Sequence, residues 1–249
     1  MVDESTMVKR LRSAIAFLTL LPVGGDVLDP QEIGGMAAFF PLVGVILGLL
    51  VAVVAWLLVS IIPPVAGAGL LLACSVAFTG AFHLDGLADV FDGLALGRGK
   101  EDLLAIMKES TVGVFGLSAL VMDLLVKYGA MVVFLDKGLY APLVAAPLVG
   151  RWSLVYMAYR FPSAREKGLG ALVVGAVDGS VMGKASLWLL VLPFLGGRYV
   201  LAFPLVVALL EVYGRFWGSR IGGVTGDVLG GGCEMVEVLV YLVALVRLV

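Results

Sequence analysis

The sequence predicts an all-α fold, a polytopic transmembrane helical bundle of roughly six to seven spans. Three observations lead there. Apolar residues make up 61% of the 249-residue chain and charged residues 14%, with a mean hydropathy of +1.09, whereas an ordinary soluble domain is about 45–50% apolar and about 25% charged. The apolar residues lie in runs close to the roughly 20 residues that cross about 30 Å of hydrocarbon. The charges gather in the gaps between those runs. Length and pattern fit one integral membrane domain over 1–249, with 1–35 as an N-terminal cytoplasmic or interfacial segment.

The elements follow in order. Asp3 and Glu4 precede Lys9, Arg10 and Arg12, and the short apolar stretch Ala14–Pro22 has no small-residue cleavage signal, unlike a secretory leader. Ser13–Leu21 reads as an interfacial or half-buried helix. Met36–Ile62 is the first clear span, and Pro63 and Pro64 stop it, because proline lacks an amide proton and fixes φ. Val65–Phe82 returns across the membrane. His83–Ser110 carries Asp85, Asp89, Asp92, Arg98, Lys100, Glu101, Asp102, Lys108 and Glu109, and cannot lie in lipid. Thr111–Leu135 is the next span, and Asp136-Lys137-Gly138 turns it into Leu139–Tyr159. Arg160–Lys184 is a second polar segment. Leu187–Leu195 and Tyr199–Val212 are each short for a crossing and are parted by Gly196-Gly197-Arg198, so they read as two tilted helices or a broken pair. Tyr213–Cys233 is a third polar segment, glycine-rich from Gly222 to Gly232, and Met235–Val249 forms a last short span.

Loop charge orients the bundle, since lysine and arginine are retained on the cytoplasmic side. With the N-terminus inside, the inner segments hold Lys9, Arg10, Arg12, Arg98, Lys100, Lys108, Arg160, Arg165, Lys167, Lys184, Arg215 and Arg220, against Lys137, Arg198 and Arg247 outside. Every motif-bearing segment then shares one cytoplasmic face. Lys127 and Arg151 fall within spans and face the bundle interior or a wet cavity; Asp123 and Lys127, at i and i+4, fit a buried ion pair. A net charge of −2 gives no electrostatic basis for binding nucleic acid. Cys74 and Cys233 have no metal-ligand or CxxC spacing and read as packing residues.

The chemistry concentrates in His83-Leu-Asp85-Gly-Leu-Ala-Asp89-Val-Phe-Asp92-Gly93. Carboxylates at i, i+4 and i+7 stack on one helix face. Three like charges at a membrane surface need compensation, and a hard divalent cation held by oxygen ligands supplies it, which points to magnesium and to phosphoryl or nucleotidyl transfer. His83, the one histidine, is either a hydrogen-bonded helix-end residue or a catalytic one. Supporting charges lie on the other inner segments: Lys108 and Glu109 before Gly113 and Gly116, Arg165-Glu166-Lys167 leading into Gly168-Leu-Gly170, and Thr225-Gly226-Asp227 in a glycine-rich loop whose amides suit an anion. Carboxylates to hold a metal and cations to neutralise phosphate oxygens are the parts of a phosphoryl-transfer site. A solvated acidic face is the plain structural alternative.

Several segments together resemble one family. Thr19-Leu-Leu-Pro-Val23, Phe40-Pro-Leu-Val-Gly44, Phe82-His-Leu-Asp-Gly-Leu-Ala-Asp89 with Asp92-Gly93, Ile106-Met-Lys-Glu-Ser110, Arg165-Glu-Lys-Gly-Leu-Gly170 and Thr225-Gly-Asp-Val-Leu-Gly230 with Glu234 resemble, in chain order, the motifs of the cobalamin synthase family, the adenosylcobinamide-GDP ribazoletransferases. The chain departs from the family pattern at Leu20 and at Gly231-Gly232-Cys233. The resemblance implies a magnesium-dependent enzyme of the inner membrane that joins adenosylcobinamide-GDP to α-ribazole or its 5′-phosphate, with release of GMP. It implies Asp85, Asp89 and Asp92 as metal and phosphate-site residues, and Lys108, Arg165, Asp227 and Glu234 as further site residues. The expected assignment is therefore Asp92, Lys108 and Asp227 in catalysis, His83, Arg165, Thr225 and Glu234 in substrate binding, and Asp85, Asp89 and Asp92 on Mg2+, with Asp92 either a third ligand or the base for the ribose hydroxyl. Expected partners are the two small-molecule substrates and membrane lipid, with homo-oligomerisation left open. A CDP-alcohol phosphotransferase also places spaced aspartates at a membrane surface, but its usual alanine-arginine pair is missing after Gly86. A small transporter would carry acids near the midplane rather than at span ends.

Overall fold

The computed structural model describes residues 4–24, 32–109 and 111–246. Asp3, Ser110 and Arg247, used above, lie outside them, as does the end of the last expected span. The described residues form α1 (Glu4–Leu18), α2 (Ile33–Ala37), α3 (Phe40–Val59), α4 (Pro64–Thr79), α5 (Phe82–Leu96), α6 (Lys100–Ile106), α7 (Val114–Lys137), α8 (Ala141–Arg160), α9 (Leu169–Ala176), α10 (Gly179–Leu187), a 3-10 turn at Trp188–Val191, α11 (Leu192–Leu195), α12 (Gly197–Ile221) and α13 (Gly226–Leu245). There is no strand among them, only an isolated bridge between Ser163 and Val224. The protein is an all-α bundle in which α3, α7, α8, α12 and α13 are each long and apolar enough to cross a membrane; two bent helix pairs raise the number of candidate spans to seven.

Helix α8 is the axis of the bundle, buried on nearly every side and packed between α3 and α13. Helix α3 reaches it through Gly44 and Gly48, a small-xxx-small pair; a Cβ at Gly48 would sit 2.5 Å from the Val144 Cα. In lipid the apolar drive between helices is weak, so such close backbone approach is a main source of packing energy. Helix α13 then packs on α5 and α12, and α5 on α7.

Three expectations about the elements change. The two short runs around Gly196-Gly197-Arg198 are not a pair of equals: α12 is one 25-residue helix, continuing through Pro204 and past Val212 to Ile221. Its polar end stays helical because Leu210, Trp217 and Ile221 are buried against neighbours, and a helix ends where its caps are rather than where apolar residues stop. The glycine-rich segment before Cys233 is likewise helical, since Thr225 caps α13 by accepting from the Val228 amide and the glycines admit neighbouring helices. A Cβ at Gly232 would meet the Met157 sulfur at 2.7 Å. Finally, the polar segment Arg160–Lys184 contains α9, which meets the stretch Gly179–Leu195 at 94°.

The joint that positions the acidic helix lies between α4 and α5. Gly80 (φ 61°) and Ala81 (φ 59°) both take left-handed backbone, and α5 leaves α4 at 90°. Alanine there carries strain of about 1 kcal/mol, which the packing of α5 must offset.

Candidate functional site

The i, i+4, i+7 carboxylates do lie on one helix, but their surroundings differ. Asp85 is exposed, Asp89 half-buried and Asp92 buried. The Asp92 oxygens accept from the Gly113 amide at 2.7 Å and the Gly116 amide at 2.8 Å, so Asp92 caps α7 at the end where its dipole favours an anion. That gives Asp92 a bracing position, in place of the open carboxylate that its spacing with Asp85 and Asp89 suggested. Asp89 has the opposite situation. Helix α5 is not among the five long apolar helices, and on it burial, then the charges of Asp227, Asp85 and Asp92, push the Asp89 carboxyl up to about 7, with Arg165 opposing.

Asp227 arrives from the first turn of α13, where a Cβ at Gly86 would lie 2.8 Å from its carbonyl oxygen; only glycine lets α5 and α13 meet this closely. Arg165, on the loop between α8 and α9, donates from Nη1 to Asp227 Oδ2 at 3.0 Å and from Nη2 to the Leu104 carbonyl at 3.2 Å, while its buried Nε has no partner. Thr225 Oγ1 donates to Asp227 Oδ2 at 3.2 Å as well as accepting from Val228, so this threonine orients the acid as it caps the helix.

Arg165, Thr225 and Asp227 open onto a cavity of about 250 Å³, whose lining does not include Asp89 or Asp92. His83, Asp85, Arg165, Lys167, Thr225 and Asp227 line it, together with Phe17, Phe40, Phe82 and Leu154. Segments from across the chain, Phe17 to Asp227, thus converge on one space. His83 is buried, and its Nε2 has no partner. Lys108 stays exposed just past α6 and does not line the cavity.

Glu234, expected at the substrate, does not line this cavity. It pairs with Lys127, whose Nζ also reaches Glu237 at 3.1 Å and Asp123 at 3.2 Å, and Glu237 in turn pairs with Arg151. All five are buried. The predicted Asp123–Lys127 pair is one edge of this larger cluster inside the bundle. Lys127, Arg151, Glu234 and Glu237 line a separate, small cavity of about 50 Å³. Glu237 was missed by sequence reasoning, although its position three residues after Glu234, on one helix face, matched the two cations stranded in other spans. Phe17, Phe40 and Phe82 were missed as cavity residues because an aromatic in an apolar run gives no local sign of what it faces.

Among the described residues no three His, Cys, Asp or Glu side chains are grouped to hold a metal unaided. The predicted trio is not a cage, because Asp92 is turned to α7. What the site offers is a set of carboxylates, Asp85, Asp89 and Asp227, close enough to raise Asp89. That donor chemistry fits Mg2+, which usually takes one or two carboxylates and completes its shell with water and substrate phosphates.

The profile of the cobalamin-5-phosphate synthase family matches residues 10–245. The chain is 38% identical over 234 residues to an adenosylcobinamide-GDP ribazoletransferase of Geotalea daltonii, covering 91% of this chain and 92% of the relative. It is 38% identical over 250 residues to that of Prosthecochloris aestuarii (97% and 99%) and 30% identical over 254 residues to that of Clostridioides difficile (97% and 98%). No solved structure matches. A profile match from the first helix to the last, with relatives of this identity over nearly their whole length, establishes that the chain belongs to the cobalamin-5-phosphate synthase family.

Proposed function

We propose that this protein is a membrane-embedded transferase of cobalamin synthesis that joins adenosylcobinamide-GDP to α-ribazole or its 5′-phosphate and releases GMP. The family match and the names of the relatives support the reaction class. The observation that carries it to a place in the fold is Arg165: two of its nitrogens are fixed by Asp227 and the Leu104 carbonyl, and its buried Nε remains to be satisfied beside a nucleoside-sized cavity. A pre-oriented guanidinium is suited to a phosphate oxygen.

In this reading a ribose hydroxyl oxygen bonds to the phosphorus that bears the cobinamide. The bond from that phosphorus to the bridging oxygen of the diphosphate breaks, and GMP leaves with that oxygen. The hydroxyl proton passes to a carboxylate of the Asp85, Asp89 and Asp227 set. Arg165 and Lys167 hold phosphate oxygens, Thr225 keeps Asp227 in register with Arg165, and Asp92 fixes α5 against α7. Asp85 and Asp89 would hold Mg2+, whose chemistry when bound is to neutralise charge on the diphosphate. The lysine and arginine bias supports an inner-membrane protein with this site facing the cytoplasm. Purified protein given adenosylcobinamide-GDP and α-ribazole tests the proposal: one GMP released per cobalamin product formed is expected, and no product at any magnesium concentration overturns it.

A further inference from the structure

The cavity has two unlike walls. One is the charged and hydroxylic set around Arg165 and Asp227. The other is aromatic. Phe17 of α1 stacks on Phe40 of α3 with ring centroids 5.6 Å apart and planes 7° from parallel, and meets Phe82 of α5 edge-on at 5.9 Å and 74°. Leu154, which also lines the cavity, adds apolar surface without a hydrogen-bonding side chain. Beside the rings stands His83, 5.5 Å from Phe82 by ring centroids, and its Nε2 is buried with no partner.

Resting on the ribazoletransferase reading above, we propose that this aromatic wall binds the benzimidazole base of the ribazole nucleoside, with Phe17, Phe40 and Phe82 setting base specificity and His83 Nε2 pairing with the base's free ring nitrogen. A flat bicyclic ring with one exposed acceptor gains from stacking and leaves little to satisfy, which is what a wall of three rings and one orphaned imidazole nitrogen offers. Guanine is the competing occupant. Its edge carries several donors and acceptors that phenylalanine and leucine cannot pair, and buried unpaired groups are what a site rejects most strongly. The corrinoid macrocycle is too large for 250 Å³ and must stay outside. With the base on the aromatic wall, the ribose is directed at the charged one, where the phosphorus chemistry lies.

Steady-state kinetics on the purified protein, varying each substrate in turn, decide the matter. Phe82 is 46% exposed, so Phe82→Leu removes a ring without opening the core. Phe82→Leu and Phe17→Leu are expected to raise KM for ribazole about five- to tenfold, the scale of an aromatic stacking pair, with KM for adenosylcobinamide-GDP unchanged within about twofold. Should either variant fail to fold, the wild-type protein answers: free benzimidazole is expected to inhibit competitively against ribazole and GMP not to do so. A rise in KM for adenosylcobinamide-GDP alone, or GMP competing with ribazole, would place guanine on the wall and overturn the inference. Unchanged KM for ribazole in both folded variants overturns it too. In all of these the enzyme still turns over; absence of any turnover in the wild type instead defeats the transferase reading itself.

Discussion

Asp89 and Asp92 stand three residues apart on one helix, yet their environments assign them different work. Asp89 is crowded by carboxylates and half open, the setting of a group waiting for a cation. Asp89→Asn keeps size and removes charge, so turnover is expected to fall about 100-fold or more, with magnesium-dependent activity abolished by chelation in the wild type. Glu101, exposed in the first turn of α6, is the control, and Glu101→Gln should be nearly silent. Equal turnover of the two variants at saturating magnesium would remove the acidic stripe from the active site. Asp92, held by two α7 amides, is expected to act in stability. Losing both amide partners in Asp92→Ala is expected to cost about 1–3 kcal/mol in thermal unfolding, and Asp92→Ser, which can still accept at an N-terminus, should recover part of that together with activity. A serine variant as stable as wild type but inactive would return Asp92 to the metal.

At the scale of elements, α7, α8 and α13 are pinned by the buried cluster of Asp123, Lys127, Arg151, Glu234 and Glu237. Removing one member leaves an uncompensated charge away from water. Lys127→Met is therefore expected to destabilise the protein by about 3–5 kcal/mol, and combining it with Glu234→Gln should restore much of the loss. Thermal unfolding in detergent reads both, and KM for either substrate should stay near wild type in the folded fraction. A Glu234→Gln variant of normal stability with a raised KM would put Glu234 at the substrate after all. This cluster was half legible in the sequence: the i, i+4 spacing of Asp123 and Lys127 announced a pair, whereas Arg151 and Glu237 join it only because α8 and α13 are packed together. The acidic helix was legible by its 3.6-residue period. The continuation of α12 to Ile221 and the helical state of the glycines before Cys233 were not, because apolarity marks what lipid tolerates rather than where hydrogen bonding stops.

For the whole molecule, the loop charges predict that His83–Ser110, Arg160–Lys184 and Tyr213–Cys233 share the cytoplasmic face. Single cysteines replacing Lys100 and Lys167 should react with an impermeant thiol reagent only after the membrane is opened; labelling of intact cells from outside would break that topology. Composition alone set the bundle and its solvent, since no water-soluble arrangement hides a chain that is 61% apolar. Local spacing set the acidic helix, because carboxylates at i, i+4 and i+7 must share a face wherever the helix goes. Tertiary structure decided which carboxylates keep free oxygens and which are taken up. Asp92 meets α7 amides, Glu234 meets Lys127, and Asp227 is drawn to Arg165 across 62 residues by the approach of α13 to Gly86. It also decided that three phenylalanines from three helices face one cavity. A side chain's role depends on its partners, and when these lie many tens of residues away no local pattern encodes the meeting; packing of the helices does.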